Sequence, residues 1–409
     1  MPCLLSGPPL DAGGERLHSQ LTRLGPLPPP QRRGEVIDEL EVAGLLGRGG
    51  AGFPVATKWR AVAGRGAGDA VVLVNGAEGE PLSHKDRLLM TSRPHLVIDG
   101  ALLAADAVGA EEIVFYVGSD HRAAQQALSR ALAERGSEIT RPLRLVPSPT
   151  GYVAGEESAA VHYVNDSVAL PVTTPPRPFE RGVRGRPTLV QNVESLAAAA
   201  LVARFGGAWY RSAGREVTKG TSLVTVAGSV PRPGVVEIEL GTTVGEVTSA
   251  AGGRRGEVSA VLLGGYFGAW AGVDDAWDQP LDPAMLRARQ LTFGCGVVSL
   301  LPAGACGVET AAWIMEYLAS SSAQQCGPCV FGLRAIADAT MRVATNRAAE
   351  HDLERITRWS GQLAGRGACR HPDGAVAMMR SALGVFADDF AVHQDNRRCL
   401  HGSMRSAVA

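Results

Sequence analysis

Lysine is the residue that this 409-residue sequence lacks most clearly, with only three lysines among 40 basic residues. They stand at Lys58, Lys85 and Lys219. A chain so rich in arginine uses arginine at positions where lysine or arginine would be equally suitable. We therefore expect the three remaining lysines to mark positions that need a compact point charge. The formal net charge is −1. Such a balance gives no indication of a nucleic-acid partner or of a membrane surface.

Long apolar runs and a dense cysteine framework are also missing. The run at 195–209 is too short to span a bilayer and contains Arg204, so we expect no membrane insertion. Residues 1–16 lack a basic region followed by an apolar core, so we expect no signal peptide. Seven scattered cysteines predict a cytoplasmic protein in which a Cys-x-x-Cys pair binds metal or serves redox chemistry.

Strand-like and helix-like segments alternate in the first half of the chain. Buried strands are predicted within 69–81 and 111–118. Helices are predicted over 33–47, 95–110 and 121–136. This alternation predicts an α/β domain with a largely parallel sheet.

The pattern changes near residue 221. Residues 221–253 indicate a strand, a Pro-Gly turn, a second strand and a helix, as in a small β-grasp-like domain. From residue 301 the chain is predicted to be a helical bundle that holds a site between its loops. Its helices are predicted over 308–325, 330–346, 351–366 and 374–393. The predicted domains are a loose leader at 1–30, the α/β domain at 31–220, the β-grasp-like domain at 221–300 and the helical domain at 301–409.

A glycine-rich segment, GRGGAGFPVATKW at 47–59, is the first candidate site. Glycines without side chains let successive backbone N–H groups converge on an anion, and two cations lie nearby in the sequence. The residues are Gly47, Gly49, Gly50 and Gly52, with Arg48 and Lys58. A phosphate cradle is the functional interpretation, and an ordinary tight turn is the alternative.

Three polar segments follow: VNGAEGEPLSHKDR at 74–87, YVAGEESAAV at 152–161 and RPTLVQNVESLAAA at 186–199. The first leaves a buried strand, and α/β folds bind ligands at the carboxyl ends of their strands. A solvated charged loop is the alternative. In the third, the amides of Gln191 and Asn192 either hydrogen-bond a heteroaromatic ring or cap the helix that follows.

In this order the four segments resemble the flavin-carrying, NADH-binding subunit of respiratory complex I, with relatives in NAD-linked hydrogenases and formate dehydrogenases. The family pattern Gly-Arg-Gly-Gly-Ala-Gly-Phe-Pro stands at 47–54, and the resemblance covers roughly 35–395. The segment 221–253 resembles the family's ubiquitin-like insert, of SLBB type. The cysteine segments resemble its helical [4Fe–4S] domain.

The resemblance implies a bound FMN whose phosphate lies on the loop 47–52, beside Arg48 and Lys58. It implies hydride transfer from NADH, with Glu80 on the nicotinamide side, and single-electron transfer to a cluster. Around the flavin and the nicotinamide it places Phe53, Asn75, Glu78, Gly155, Glu156, Glu157, Gln191 and Asn192.

The sequence departs from the family mainly on the nicotinamide side. Ala77 replaces an aspartate, Arg60 and Ala61 replace an aromatic position, and Thr174 replaces a lysine. We therefore expect an FMN-binding electron-transfer subunit that works with a ferredoxin or another redox subunit, with NAD as a possible cofactor. A ferredoxin-linked flavoprotein without nicotinamide activity and a non-catalytic scaffold are the alternatives.

The cysteines match only three of the four ligands that a [4Fe–4S] cluster usually has. The resemblance places ligands at Cys326, Cys329 and Cys369, and Ala323 at the position of the first. The alternatives are a [4Fe–4S] cluster with one non-cysteine ligand, a [3Fe–4S] cluster, a fourth cysteine from elsewhere, or no cluster. The non-cysteine candidates are Gln324, Gln325 and His371, and the further cysteines are Cys295, Cys306 and Cys399.

Overall fold

The computed structural model describes residues 3–29, 35–65, 68–397, 399 and 401. Four parallel strands form the first sheet: β1 (Ala70–Gly76), β2 (Ala110–Gly118), β3 (Leu143–Ser148) and β4 (Thr188–Asn192). Their order is β3-β2-β1-β4. The central strand β1 is buried on both faces, which explains its unbroken apolar run. The predicted α/β domain with a parallel sheet is confirmed.

The chain divides into two compact units. The first contains the described residues within Met1–Gly79, His84–Leu223 and Glu237–Gly241. The second contains those within Glu80–Ser83, Val224–Val236 and Thr242–Ala409. The four domain limits expected from the sequence remain a prediction.

Nine helices in the described part of the first unit surround its sheet. They are α1 (Leu17–Leu24), α2 (Val36–Ala43), α3 (Val55–Ala63), α4 (Lys85–Ser92), α5 (Pro94–Val108), α6 (Arg122–Arg135), α7 (Glu157–Asp166), α8 (Val193–Phe205) and α9 (Gly207–Arg211). The helix predicted over 33–47 is α2, and residues 33 and 34 lie outside the described ranges.

Helices α5 and α8 pack together at a distance that only glycine permits. A Cβ atom on Gly100 of α5 would lie 2.0 Å from the carbonyl oxygen of Leu196 in α8. On another part of the sheet, Ala160 of α7 packs with Val71 and Leu73 of β1 in one buried apolar cluster. Helices thus cover the sheet and leave the carboxyl ends of its strands for loops.

The amino-terminal segment packs against the first unit and differs from the loose leader that its composition suggests. Leu4 is 1% exposed, and the N–H groups of Leu4 and Leu5 donate to the carboxylate of Glu237. The buried Arg93 guanidinium donates to carbonyl oxygens in the same segment, those of Leu5, Ser6 and Pro8. Arg93 and Glu237 together hold this glycine- and proline-rich segment, and composition alone does not reveal such partners.

The second sheet has five strands and contains the predicted β-grasp-like pattern. The strands are β5 (Thr221–Gly228), β6 (Gly234–Glu239), β7 (Val258–Leu263), β8 (Ala269–Gly272) and β9 (Val297–Pro302), in the order β6-β5-β9-β7-β8. Three short helices accompany it: α10 (Val244–Ala250), α11 (Val273–Trp277) and α12 (Pro283–Ala288). Helix α10 begins with a capping box between Thr243 and Glu246.

The carboxyl-terminal part of the second unit is helical, as predicted. Its helices are α13 (Gly307–Ser320), α14 (Arg334–Ala344), α15 (Asp352–Leu363), α16 (His371–Val385) and α17 (Ala387–Gln394). The prediction of one helix over 374–393 is wrong. The chain turns at Phe386, whose buried ring packs edge-on against Trp270 and separates α16 from α17. Across the described ranges, no helix combines the length and apolar character that crossing a bilayer requires.

Candidate functional site

The carboxyl ends of β1 and β4 bring the polar segments of the first unit together. Asn75 at the end of β1 lies opposite Asn192 at the end of β4. The Asn75 side-chain amide donates to the carbonyl oxygen of Gly155 at 2.8 Å, which places the start of α7 beside the sheet edge. The strand ends and the beginnings of α7 and α8 therefore share one location, where parallel α/β sheets bind ligands.

The glycine-rich segment forms a tight turn that faces this location. The Gly47 N–H donates to the Phe53 carbonyl oxygen at 2.8 Å, which closes the turn. Gly50 and Gly52 have φ values of +104° and +64°, and a Cβ atom added to either would meet nothing within 4 Å. No acceptor among the described residues takes the N–H group of Gly49 or Gly50, whereas the N–H of Gly52 closes the turn over 48–51. Unused N–H groups around open space form the kind of concavity that binds anions.

The two cations of the segment already have protein partners. The Arg48 guanidinium is buried and donates to the Tyr210 hydroxyl at 3.1 Å and to the Thr221 carbonyl oxygen at 2.9 Å. Lys58 Nζ lies 2.9 Å from a carboxylate oxygen of Glu157 in α7. Arg48 therefore anchors the turn to Tyr210 and Thr221. A role for either cation in phosphate binding remains a prediction.

Three predicted site residues cap helices. Asn192 Oδ1 accepts from the N–H groups at the start of α8, and Glu156 Oε2 accepts from those at the start of α7. The Glu78 carboxylate accepts from the N–H groups of Asp86 and Arg87 in the first turn of α4. For Asn192 the capping alternative is therefore what the structure contains. The caps hold three helix amino termini, each with a partial positive charge, near the carboxyl edge of the sheet.

A buried ion cluster that the sequence did not assign to the site joins these helices. Lys85 Nζ lies 2.7 Å from Asp86 Oδ1 and 2.9 Å from Glu194 Oε2. The other Asp86 oxygen accepts from the Asn192 amide at 2.6 Å. The cluster of Lys85, Asp86 and Glu194 thereby fixes the start of α4 to the start of α8.

Burial and neighbouring charges shift the pKa values of this cluster in a consistent direction. Burial by itself would lower the pKa of Lys85, but Asp86, Glu194 and Glu78 raise it well above its usual value. Burial raises the pKa of Asp86 to about 7; Lys85 opposes this shift, and the carboxylates of Glu78 and Glu194 add to it. Lys85 is therefore charged at every pH at which the protein is handled.

The remaining predicted cofactor residues lie around the same edge. Gln191 Oε1 accepts from the indole N–H of the buried Trp59 at 3.3 Å, whereas the Phe53 side chain is 53% exposed. A Cβ atom on Gly155 would lie 3.6 Å from the Ala77 side chain, and one on Gly49 would lie 3.4 Å from Asn192. An open glycine turn with unused donors, next to polar strand ends, fits a phosphate-bearing cofactor such as FMN.

Glu80, the predicted nicotinamide-side residue, belongs to the second unit. Its carboxylate accepts from the Tyr266 N–H at 2.8 Å and from the Leu82 N–H at 3.3 Å. Burial raises the pKa of the Tyr266 hydroxyl, and the nearby Glu80 carboxylate adds to that shift. Within the second unit Glu80 is thus a buried carboxylate bound by backbone donors.

The three cluster cysteines come together in the second unit. Cys326 and Cys329 flank the beginning of a π-helical turn (Pro328–Leu333), and their side chains contact each other. Cys369 lies just before α16 and acts on Cys329 electrostatically. Ala323, at the position of the missing ligand, is buried with 9% exposure. All seven cysteines lie in the described ranges and none forms a disulfide, so Cys326 and Cys329 remain thiols.

Backbone donors surround two of these thiols. Burial would raise the pKa of Cys326, but N–H groups of Ala368 and Cys329 donate to its sulfur and the net pKa is lowered. Burial raises the pKa of Cys329 to about 12, and the sulfurs of Cys326 and Cys369 contribute to that rise. Clustered thiols that accept backbone N–H groups are the donor set of iron–sulfur sites, so these residues fit such a cluster.

Four of the six candidates for a fourth ligand have other partners, whereas Gln324 and Gln325 are exposed. His371 Nε2 lies 2.7 Å from the Leu318 carbonyl oxygen. Cys295 Sγ lies 3.2 Å from the Gly264 carbonyl oxygen. Cys306 and Cys399 lie in a separate group with His393. The structure thus places Cys326 against Cys329 with Cys369 in electrostatic range, and it engages His371, Cys295, Cys306 and Cys399 elsewhere.

Three regions of the chain match known protein families. Residues 40–201 match the model of the Nuo51 FMN-binding domain, and 223–263 match the SLBB domain. Residues 309–393 match the NADH-ubiquinone oxidoreductase-F iron–sulfur binding region. The regions follow the order predicted from the sequence. A flavin region, an SLBB region and an iron–sulfur region together define a class of electron-transferring oxidoreductase subunits.

Individual relatives agree with the regional matches. The second F-type subunit of NADH-quinone oxidoreductase from Rhizobium meliloti (strain 1021) is 30% identical over 379 residues, which cover 89% of this chain and 90% of that protein. NADP-reducing hydrogenase subunit HndC of Solidesulfovibrio fructosivorans is 27% identical, with 89% and 77% covered. A chain of NAD+-reducing [NiFe]-hydrogenase in its H2-reduced state has a TM-score of 0.82 and 28% identity, with 95% and 68% covered. The chain belongs to the family of F-type subunits of NADH-quinone oxidoreductase.

Sequence reasoning missed two groups of residues. The first group is the ion cluster of Lys85, Asp86 and Glu194, which lie in the segments 74–87 and 186–199. The scarcity of lysine is the only indication that the sequence gives for Lys85. The sequence indicates Cys306 and Cys399 only as further cysteines for the cluster, and it gives no indication for His393. Both groups join residues far apart in the chain, and local patterns do not reveal such pairs.

Proposed function

We propose that the chain transfers electrons from a nicotinamide, through FMN held at the carboxyl edge of β1 and β4, to an iron–sulfur cluster held by Cys326, Cys329 and Cys369. One observation carries the flavin part: within the open turn at 47–52, the N–H groups of Gly49 and Gly50 have no acceptor among the described residues, and the turn lies beside the start of α8. Gly49 is exposed and Gly50 is half-buried, so these donors are open to a phosphate from solvent.

FMN, when bound, supplies the conversion between two-electron hydride chemistry and one-electron transfer. The protein's part is to bind and orient. The N–H groups of Gly49 and Gly50 would hold the phosphate, and the start of α8, capped by the neutral Asn192 amide, would favour its negative charge. The Asn75 and Asn192 amides are fixed by Gly155 and Asp86, so the edge is rigid before the cofactor arrives.

The cluster part rests on three thiols and on their backbone donors. We propose three protein thiolates as the complete cysteine set, because Ala323 offers no donor and Cys295, Cys306 and Cys399 are engaged elsewhere. This favours a [3Fe–4S] cluster, or a [4Fe–4S] cluster whose fourth iron carries a non-cysteine ligand such as Gln324 or Gln325. Seven cysteines without a disulfide accord with a reducing cytoplasm, where we place the protein.

The residues expected on the nicotinamide side bear on whether NADH is the electron donor. Arg60 replaces a family aromatic position, and its guanidinium contacts Asp38 and Glu41 on α2. We propose NADH as the donor and a ferredoxin or a partner redox subunit as the acceptor. A ferredoxin-linked flavoprotein without nicotinamide activity is the second candidate, favoured by this occupied Arg60.

Anaerobic purification followed by stepwise reduction tests the proposal. Flavin released by acid should be FMN at about one per chain, and NADH should bleach the flavin absorbance. Bleaching by reduced ferredoxin alone would select the second candidate. Purified protein without flavin, even after incubation with FMN, would refute both and leave the scaffold alternative.

Cys369→Ser tests the cluster with a matched control. This variant should lose at least about tenfold in bound iron and in the EPR signal of the cluster, since one of three thiolates is gone. Cys295→Ser removes a thiol that contacts Gly264 and should keep both. Equal iron in the two variants would show that Cys369 is not a ligand.

A further inference from the structure

Cys306, His393 and Cys399 form a second group of metal-binding side chains in the second unit. The ligand atoms of all three lie within 4.8 Å of one another, and Cys306 Sγ lies 3.5 Å from His393 Nε2. Cys306 is the residue before α13, His393 lies in the last turn of α17, and Cys399 follows that helix. None of them belongs to the three cysteines proposed for the cluster.

The spacing matches a single tetrahedral ion. Zinc lies about 2.3 Å from a thiolate sulfur and about 2.0–2.1 Å from an imidazole nitrogen, so the two ligand atoms stand about 3.6 Å apart. The distance between Cys306 Sγ and His393 Nε2 has this value within about 0.2 Å, the tolerance expected of a metal site. An iron–sulfur cluster instead places separate iron atoms between its thiolates, which sets them wider apart.

The histidine has the tautomer that metal binding requires. His393 is 2% exposed, and its Nδ1 lies 3.2 Å from the Val343 carbonyl oxygen. Because a carbonyl oxygen only accepts, Nδ1 carries the proton and Nε2 presents its lone pair to Cys306 Sγ. A backbone carbonyl that orients the second ring nitrogen is a common support for metal-binding histidines.

We propose that Cys306, His393 and Cys399 bind one Zn²⁺ ion, independently of the flavin and of the iron–sulfur cluster. Two thiolates and one imidazole form a set that suits zinc, whereas calcium and magnesium require oxygen ligands. The fourth position is left to a water molecule, because His401 Nδ1 lies 2.9 Å from the Ala303 carbonyl oxygen and its Nε2 is 3.6 Å from Asp389.

The ion would join three segments of the second unit. Cys306 stands before α13, His393 lies in the last turn of α17, and Cys399 follows α17 in the chain. His393 also contacts α14 through the Val343 carbonyl oxygen. A zinc ion held by three protein ligands and a water molecule would stabilise the helical domain by making part of its binding free energy available to folding.

Metal analysis of the full-length chain tests the proposal. The protein is purified anaerobically, incubated with ZnCl₂ and desalted, and zinc and iron are then measured separately by mass spectrometry. We expect about one zinc per chain, and X-ray absorption at the zinc edge should show two sulfur ligands at about 2.3 Å and one nitrogen at about 2.0–2.1 Å. Cys399→Ser should lower bound zinc at least about tenfold and leave iron and FMN unchanged.

Two further variants keep the outcome decisive. His393→Gln repeats the zinc loss without removing a thiol, and Cys326→Ser should lose iron while it keeps zinc. Wild-type protein that retains less than about one zinc per ten chains would overturn the proposal. So would zinc that is unchanged in both Cys399→Ser and His393→Gln, or a Cys306–Cys399 disulfide in the anaerobic protein.

Discussion

Replacement of Lys85 by methionine probes the buried ion cluster that joins α4 to α8. Methionine keeps an unbranched apolar stem and removes the ammonium group from between Asp86 and Glu194. The Lys85 side chain is 2% exposed, and those of Asp86 and Glu194 are 7% and 0% exposed. Water therefore has little access to the carboxylates that lose their cation.

The expected loss follows from this burial. Removing one partner of a buried ion pair leaves an uncompensated charge and costs about 3–5 kcal/mol. The loss should depend on pH, because Asp86 has a pKa raised to about 7 and takes up a proton when the solution is acidic. A protonated Asp86 no longer needs the cation, so we expect the deficit of Lys85→Met to grow as the pH rises from about 6 to about 8.

The assay compares Lys85→Met with Lys58→Met in urea at both pH values. Lys58 also pairs with a glutamate, but the side chains of Lys58 and Glu157 are 22% and 36% exposed, so its loss should cost about 1 kcal/mol or less. Two compact units need not unfold together, so the midpoints are supported by hydrogen exchange of peptides that cover α4 and α8. The local signal should appear in these two helices first.

Two results would contradict this reasoning. Equal destabilisation in the two variants at about pH 8 would mean that burial does not increase the cost of removing Lys85 from its ion pairs. A deficit for Lys85→Met that is the same at both pH values would mean that Asp86 does not titrate in this range. Either result would also remove the ion cluster as the support of the proposed flavin edge.

Two other variants test neighbouring features. The raised pKa of Asp86 means that the native state binds its proton more tightly than the unfolded state does, so the stability of the wild-type protein should fall as the pH rises from about 4 to about 7. Asp86→Asn should abolish this pH dependence of stability. A variant that keeps the same slope of stability against pH in urea titrations would contradict the assignment. Gly50→Val should reduce bound FMN at least about tenfold because the side chain fills the turn. The control is Gly253→Val, at a φ of +86° with nothing within 4 Å, which carries a similar backbone strain of about 1–3 kcal/mol and should keep its flavin. Equal flavin in the two variants would show that the turn is not the phosphate site.

Much of the fold was predictable because local patterns carry it. The apolar runs of β1 and β2 and the helices between them follow from periodicity, and the parallel sheet follows from their alternation. The break at Phe386 was not predictable, because the periodicity of 374–393 is continuous. It arises where a buried ring packs against Trp270, on a strand far away in the chain.

The candidate site was predictable to a similar extent. The glycine turn and the polar strand ends stand in contiguous motifs, and the structure brings them to one edge. The support for that edge joins Asp86 to Asn192, which are 106 positions apart. Cys306 and His393 are 87 positions apart, and neither belongs to a local motif. Contacts of this kind depend on the packing of whole helices and cannot be deduced from residue spacing.

The placement of the cluster cysteines has a consequence for biosynthesis. Cys326 and Cys329 emerge from the ribosome before α14 and α15, and Cys369 emerges after them. The donor set is therefore incomplete until this helical hairpin has been translated and has folded back on itself. Cofactor insertion during translation would meet only two thiols, a set that holds a cluster poorly. If these three thiols hold the cluster as proposed, iron and sulfide can be bound only after α14 and α15 have been made.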